Sequence, residues 1–152
     1  MSKIFDFQDE AVTVSYEERG AWVYLVAVVA TFAGYVAVVL GRAGGGAPAD
    51  ADYVAPLLWS LGISIAVTII GRIVLEIVRP GDGTTADVRD KEIARSGDNV
   101  TGMVVGFGVL LPLALALIEA DHFWIANSIY AVSALAAVVG TAVKLVTYRR
   151  GF

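Results

Sequence analysis

Residues 21–40 read AWVYLVAVVATFAGYVAVVL, a run without a single charged side chain. An α-helix rises about 1.5 Å per residue, so about twenty residues cover the roughly 30 Å hydrocarbon core of a bilayer. Because backbone groups inside hydrocarbon must satisfy one another, the run is predicted to be a membrane-spanning helix, in spite of its many β-branched residues. Three further charge-free runs follow at 53–71, 99–118 and 123–143. The sequence therefore predicts an all-α, polytopic membrane protein with four transmembrane helices.

The composition supports this fold class. The 152 residues are 57% hydrophobic and 17% charged, with a mean hydropathy of +0.72, whereas soluble domains are about 45–50% apolar and about a quarter charged. The chain has no cysteine and one histidine, His122, which excludes disulfides, thiolate metal sites and a bis-histidine haem within one chain. A net charge of −4 gives no reason to expect nucleic-acid binding.

The distribution of basic residues predicts the orientation. Of the 11 lysines and arginines, only Arg42 lies in the connections after the first and third runs. By the positive-inside rule, both termini and the middle loop are cytoplasmic. The predicted segments are a cytoplasmic tail at 1–20, the first span at 21–40, an outer glycine-rich loop at 41–52, the second span with a cytoplasmic extension at 53–78, a cytoplasmic loop at 79–98, the third span at 99–118, an outer turn at 119–122, the fourth span at 123–147 and a cytoplasmic C-terminus at 148–152.

The middle loop is predicted to contain a short juxtamembrane helix at about residues 86–96. Asp87 and Lys91 are spaced i,i+4, and Glu92 and Arg95 are spaced i,i+3, both of which stabilise a surface helix. Gly97 is expected to end this helix or to act as a hinge to the third span. Within the third span, Pro112 predicts a kink, because proline has no N–H and its ring clashes with the preceding turn.

Small residues predict how the helices pack, since they let membrane helices approach closely. Gly102 and Gly106 form a GxxxG pattern on the third span, which we expect to pack on the fourth span within the chain; a homodimer through the same face is the alternative. The matching small residues on the fourth span are Ser133, Ala137 and Gly140, with Ala136.

The charged residues near the spans do not form a recognisable catalytic or metal-binding motif. Arg72 and Glu76, spaced i,i+4, are predicted to form an ion pair at the inner interface, where the second helix leaves the membrane. On the outer side, Glu119, Asp121 and His122 are expected to solvate the turn. Together with Asp50 and Asp52, which are expected on the same side, such groups would suit a divalent cation if they converged. No phosphate loop, nucleophile elbow or zincin motif occurs. The prediction is therefore a protein that is not an enzyme and has no cofactor or metal.

The middle loop contains a short motif that resembles one found in a family of membrane proteins. The order Asp87-x-Arg89-Asp90-x-x-Ile93, followed by a glycine and a hydrophobic span, resembles small bacterial four-helix membrane proteins of unassigned function. These carry a D-E-R-[DE]-x-x-I type motif between their second and third helices, and Val88 replaces the usual acid here. The resemblance, strongest over the last three helices, implies a bacterial plasma (inner) membrane protein, often encoded beside a helix-turn-helix regulator.

Two functions are compatible with the sequence. The first is regulatory or accessory: the cytoplasmic face binds a cytoplasmic or membrane protein, because mixed charge at nearly zero local balance suits a protein contact better than DNA or a lipid patch. The alternative is a small transporter or channel, assembled as a dimer. The residues predicted to bind the partner are Asp87, Arg89, Asp90, Lys91, Glu92 and Arg95.

Overall fold

The computed structural model describes residues 16–78 and 88–150, and all regular structure in these two ranges is helical. The α-helices are α1 (Tyr16–Ala43), α2 (Val54–Val78), α3 (Val88–Gly108), α4 (Leu110–Leu117) and α5 (His122–Arg150), with one 3₁₀ turn at Pro48–Asp50. In the described ranges, four helical segments are long and apolar enough to cross a membrane: Glu17–Ala43, Val54–Val78, Val88–Leu117 and His122–Arg150. The predicted all-α fold with four spans is confirmed at this level.

The first helix extends beyond the apolar run at both ends. It begins at Tyr16, inside the segment assigned to the tail, and its first turn carries Glu17 and Glu18. Carboxylates near a helix N-terminus interact favourably with the free N–H groups and the helix dipole, which explains the early start. After Ala43, Gly44 adopts a positive φ of 55°, the left-handed conformation that commonly ends a helix.

The third span differs from its prediction. The separate juxtamembrane helix at 86–96 is replaced by one helix that begins at Val88 and continues through Gly97 to Gly108; residues 86 and 87 lie outside the described ranges. The interruption comes instead at Val109, before α4 begins. Pro112 cannot donate a hydrogen bond to the carbonyl of Gly108, the residue just before this interruption. The kink at Pro112 stays a prediction.

The turn between α4 and α5 is a Schellman motif. The N–H of Ala120 donates to the carbonyl of Leu115 and the N–H of Glu119 to that of Ala116, at 2.9 and 3.1 Å. Glu119 takes the left-handed position with φ 56°, which glycine usually occupies. Asp121 then accepts a hydrogen bond of 2.7 Å from the N–H of Phe123 and caps the start of α5.

The spans do not form a closed ring. α1 packs against α2 and α5, and α5 packs against α3 and α4. The order across the molecule is therefore α2, α1, α5, α3, which leaves α2 and α3 as the two edges. The core lies between α1 and α5, where Tyr35, Val39, Phe123 and Tyr130 form a buried cluster.

Candidate functional site

Charged side chains from all four spans meet at one end of the bundle, where α1 and α3 begin and α2 and α5 end. Arg72 Nη2 of α2 lies 3.9 Å from Glu17 Oε2 of α1. Lys144 Nζ of α5 lies 2.8 Å from Asp98 Oδ1 of α3. We call this region, defined by Glu17, Arg72, Asp98 and Lys144, the charged end. One ion pair thus joins α1 to α2, and the other joins α3 to α5.

A glycine positions Lys144. A Cβ atom at Gly97 would meet the aliphatic stem of Lys144 and would lie 2.7 Å from the carbonyl oxygen of Gly140. The stem therefore passes directly over the backbone of α3, and the ammonium group reaches Asp98 one residue further along. Gly97 therefore lies inside a continuous helix, where it makes room for Lys144. The prediction that Gly97 ends a helix or forms a hinge was wrong.

A cleft of about 400 Å³ opens at the charged end between α2 and α3. Both ion pairs line it, together with small or polar side chains such as Ala94, Thr68 and Thr101. The cleft exists because α2 and α3 are the edges of the bundle and are not drawn together by direct packing.

The cleft adjoins a groove of about 290 Å³ that lies between α1, α2 and α5. Tyr24, Thr68, Ile69 and Ala137 line both spaces. The lining of the groove is mainly apolar, with hydroxyl groups of Ser64 and Ser133 among aliphatic side chains. The charged cleft therefore lies next to a mainly apolar groove.

The residues predicted to bind a partner lie on the first turns of α3 and outside the cleft. Arg89, Lys91, Glu92 and Arg95 are exposed, and Asp90 is half-buried; Asp87 lies outside the described residues. Ile93, the isoleucine of the quoted motif, is 1% exposed. Lys91 and Arg95 are two positions from Ile93, about 160° around the helix, so they face away from the packed side.

The ion pair of Arg72 is a correction to the sequence analysis. The pair that the structure shows joins Arg72 to Glu17 of α1, whereas Glu76 is an exposed residue of the same helix. An i,i+4 pair is weak on a helix surface, and packing of α1 on α2 offers Arg72 a carboxylate of another helix. No local spacing in the sequence indicates Glu17, which is 55 positions away.

The packing of the third span is a second correction. Gly102 and Gly106 are exposed, and no atom lies within 4 Å of a Cβ built on either. The α3 residues that contact α5 include Gly97, Thr101 and Gly108, spaced by four and then seven positions. Gly102 is rotated from Thr101 by about 100° around the helix. Of the predicted residues on α5, Gly140 makes this contact, Ala137 lines the cleft and Ser133 is exposed.

Polar groups in the middle of the spans bond to one another. The Ser60 hydroxyl donates to the carbonyl of Thr31 at 2.9 Å and shares a hydrogen bond with the Tyr130 hydroxyl. The Tyr35 hydroxyl donates to Asn127 Oδ1. Among the described residues, no buried side-chain nitrogen or oxygen lacks a partner. These groups therefore connect α1, α2 and α5, as polar side chains commonly do between membrane helices. No local spacing in the sequence pairs Ser60 with Tyr130 or Tyr35 with Asn127, which are 70 and 92 positions apart.

Two of the acids expected on the outer side make other contacts in the structure. Asp121 caps α5, and Asp52 pairs with Arg42 at 3.7 Å. Within residues 16–78 and 88–150, no group of three histidine or acidic side chains is placed to hold an ion.

Comparison with known proteins adds no further assignment. No family model, no curated protein and no solved structure matches this chain. Function must be argued from the charged end and the cleft themselves.

Proposed function

We propose that this is a multi-pass protein of the bacterial plasma membrane, with both termini in the cytoplasm, that acts through protein contacts of the exposed first turns of α3. The excess of lysine and arginine on one side supports the orientation. The ends of α1 and α5 lie together, since the Arg149 guanidinium carbon is 5.5 Å from the centre of the Trp22 ring. Its role is regulatory or accessory, and it is not catalytic.

The observation that carries this proposal is the two-sided character of the first turns of α3. One side is buried: it carries Ile93, which is 1% exposed, and one turn later Gly97, which lies against Gly140 and Lys144 of α5. The other side holds Lys91, Glu92 and Arg95 towards solvent. A rigid helix with charges of both signs recognises a partner of complementary charge at little ordering cost, because its backbone is already held.

The resemblance to small bacterial membrane proteins with a D-E-R-[DE]-x-x-I type motif is part of this proposal. The burial of Ile93 supports it by giving the last position of the motif a physical role, which is to anchor the charged turns. A cytoplasmic transcription regulator is the partner that the resemblance suggests, by analogy alone.

In-cell crosslinking tests the proposed function. A photoreactive amino acid at Arg89 or Glu92 is expected to capture the same cytoplasmic protein from both positions. The matched control is Met103, which is 66% exposed on the same helix but faces lipid in the proposed orientation. Charge reversal at Lys91 should then weaken binding of the purified partner. Self-crosslinks alone, or equal capture from Met103, would contradict the proposal.

The alternative, a small dimeric transporter or channel, predicts a different measurement. The hydrogen bonds of Ser60, Tyr130 and Asn127 occupy the polar groups that a pathway through one chain would need. A pathway for ions or solutes would therefore have to lie between the two copies of a dimer. Reproducible ion or solute flux in liposomes would replace the contact function with this one.

A further inference from the structure

We propose that the cleft between α2 and α3 binds one phospholipid that carries both a phosphate and a primary ammonium. Arg72 and Lys144 would hold the phosphate, Glu17 and Asp98 would hold the ammonium, and an acyl chain would occupy the adjoining groove. This inference is independent of the protein contacts proposed above, because it concerns a different surface.

The charges of the cleft select this class of ligand. Among the described residues, two cationic and two anionic side chains line it, so their formal charges sum to zero. A purely anionic ligand would be repelled by the two carboxylates, and a purely cationic ligand by Arg72 and Lys144. The four side chains are between 27% and 70% exposed, so they remain accessible. The ammonium group of Lys144 has three N–H donors and gives one of them to Asp98. It can therefore donate to a phosphate oxygen while it stays bonded to Asp98. A zwitterionic headgroup matches both signs.

The shape of the site selects an amphiphile over a free headgroup. The cleft of about 400 Å³ adjoins the groove of about 290 Å³, and Tyr24, Thr68 and Ala137 line both spaces. Aliphatic side chains such as Leu61 and Ile65 line the groove and suit a hydrocarbon chain. A polar head with an apolar tail would therefore be satisfied at both ends.

The position of the site suits lipid entry. Arg72 is 19 residues from Tyr53, which is about 28 Å along a helix and thus about one hydrocarbon thickness. The charged end consequently lies at the depth of lipid headgroups. Since α2 and α3 are the unpaired edges of the bundle, the cleft opens sideways to the bilayer, and a lipid can enter without crossing an aqueous phase.

Native mass spectrometry of the full chain in detergent tests the lipid. The probes are phosphatidylethanolamine and phosphatidylglycerol with identical acyl chains, and water-soluble phosphoethanolamine. We expect one phosphatidylethanolamine retained per chain, with about tenfold weaker retention of phosphatidylglycerol, because the latter offers no cation to Glu17 and Asp98. Equal retention of the two lipids would overturn the inference, and so would phosphoethanolamine binding as tightly as the lipid.

Variants test the location. Arg72→Gln with Lys144→Gln should weaken retention of phosphatidylethanolamine about tenfold, while Arg42→Gln, which removes an ion pair at the opposite end, should leave it unchanged. Ala137→Phe, which fills the junction between cleft and groove, should also weaken it, and unchanged thermal unfolding in lipid-free detergent would show that each variant folds. Unaltered retention in folded variants of both kinds, or equal loss in Arg42→Gln, would overturn the assignment to this cleft.

Discussion

At Gly140 the backbone of α5 comes so close to α3 that a side chain has no room. A Cβ atom there would meet the Thr101 side chain and would lie 2.9 Å from the carbonyl oxygen of Gly97. The Thr101 hydroxyl uses this closeness, since it lies 2.9 Å from the Gly97 carbonyl and 3.5 Å from that of Ala136 on α5. The contact between α3 and α5 therefore depends on Gly97 and Thr101 facing Gly140, and not on the Gly102-xxx-Gly106 pattern.

Gly140→Ala is therefore expected to destabilise the protein, and Gly102→Ala is the matched control. Alanine normally stabilises a helix relative to glycine by about 1 kcal/mol, and at the open Gly102 position this gain should remain. At Gly140, overpacking against backbone should lower the free energy of unfolding by about 1–3 kcal/mol. Thermal unfolding in detergent measures both changes. A destabilising effect confined to Gly102→Ala would indicate that the GxxxG face is the packed one.

Ser60→Ala tests the hydrogen bonds in the middle of the spans. Its hydroxyl bonds to groups on two other helices, and hydrogen bonds between membrane helices contribute about 1 kcal/mol. Ser133 is the matched control, because its hydroxyl bonds to the carbonyl of Ile129 within its own helix. We expect a loss of about 1 kcal/mol for Ser60→Ala and almost none for Ser133→Ala in the same unfolding assay. Equal losses would mean that the bonds between helices add nothing.

Among the elements, the third span shows what local chemistry can and cannot predict. Pro112 has no N–H, so the predicted effect on its helix depends on that residue alone. Gly97 acts through what packs on it, namely the Lys144 stem 47 positions away, and the sequence around Gly97 carries no sign of this contact. The same reason explains why the partner of Arg72 was predicted wrongly.

Pro112→Ala is expected to join α3 and α4 into one straighter helix. Alanine restores the donor to the Gly108 carbonyl, so the distance between spin labels at Met103 and Leu117 should increase towards the value of about 21 Å for a straight helix. The chain has no cysteine of its own, so labels can be placed cleanly. Val26 and Leu40, exposed on α1 with the same spacing, give the reference distance. An unchanged distance would show that packing of Gly108 against Val132, and not the proline, causes the interruption.

For the whole molecule, charge-free runs and helix length were enough to predict four spans, because the bilayer imposes its thickness on any sequence. The order of the helices across the bundle was not predictable. It depends on contacts such as Gly71 with Val23 and Gly97 with Lys144, which no spacing reveals. The cleft follows from that order, so the candidate site could not be found before the fold.

The proposed orientation gives a direct test at this scale. A cysteine at Asp50, exposed in the loop after α1, should react with a membrane-impermeant maleimide in intact cells. A cysteine at Lys91, exposed on the first turns of α3, should react only after the cells are permeabilised. The reverse pattern would invert the orientation and place the charged end outside.

The central place of α5 has a consequence for biosynthesis. α3 finds its main neighbour, and α1 one of its two, in a helix that leaves the ribosome after both of them. Until α5 is inserted, the face of α3 that carries Gly97 and Gly108 is exposed to lipid or to the insertion machinery. Nascent chains that stop before residue 122 should consequently be removed by membrane proteases, whereas those that stop after α5 should persist.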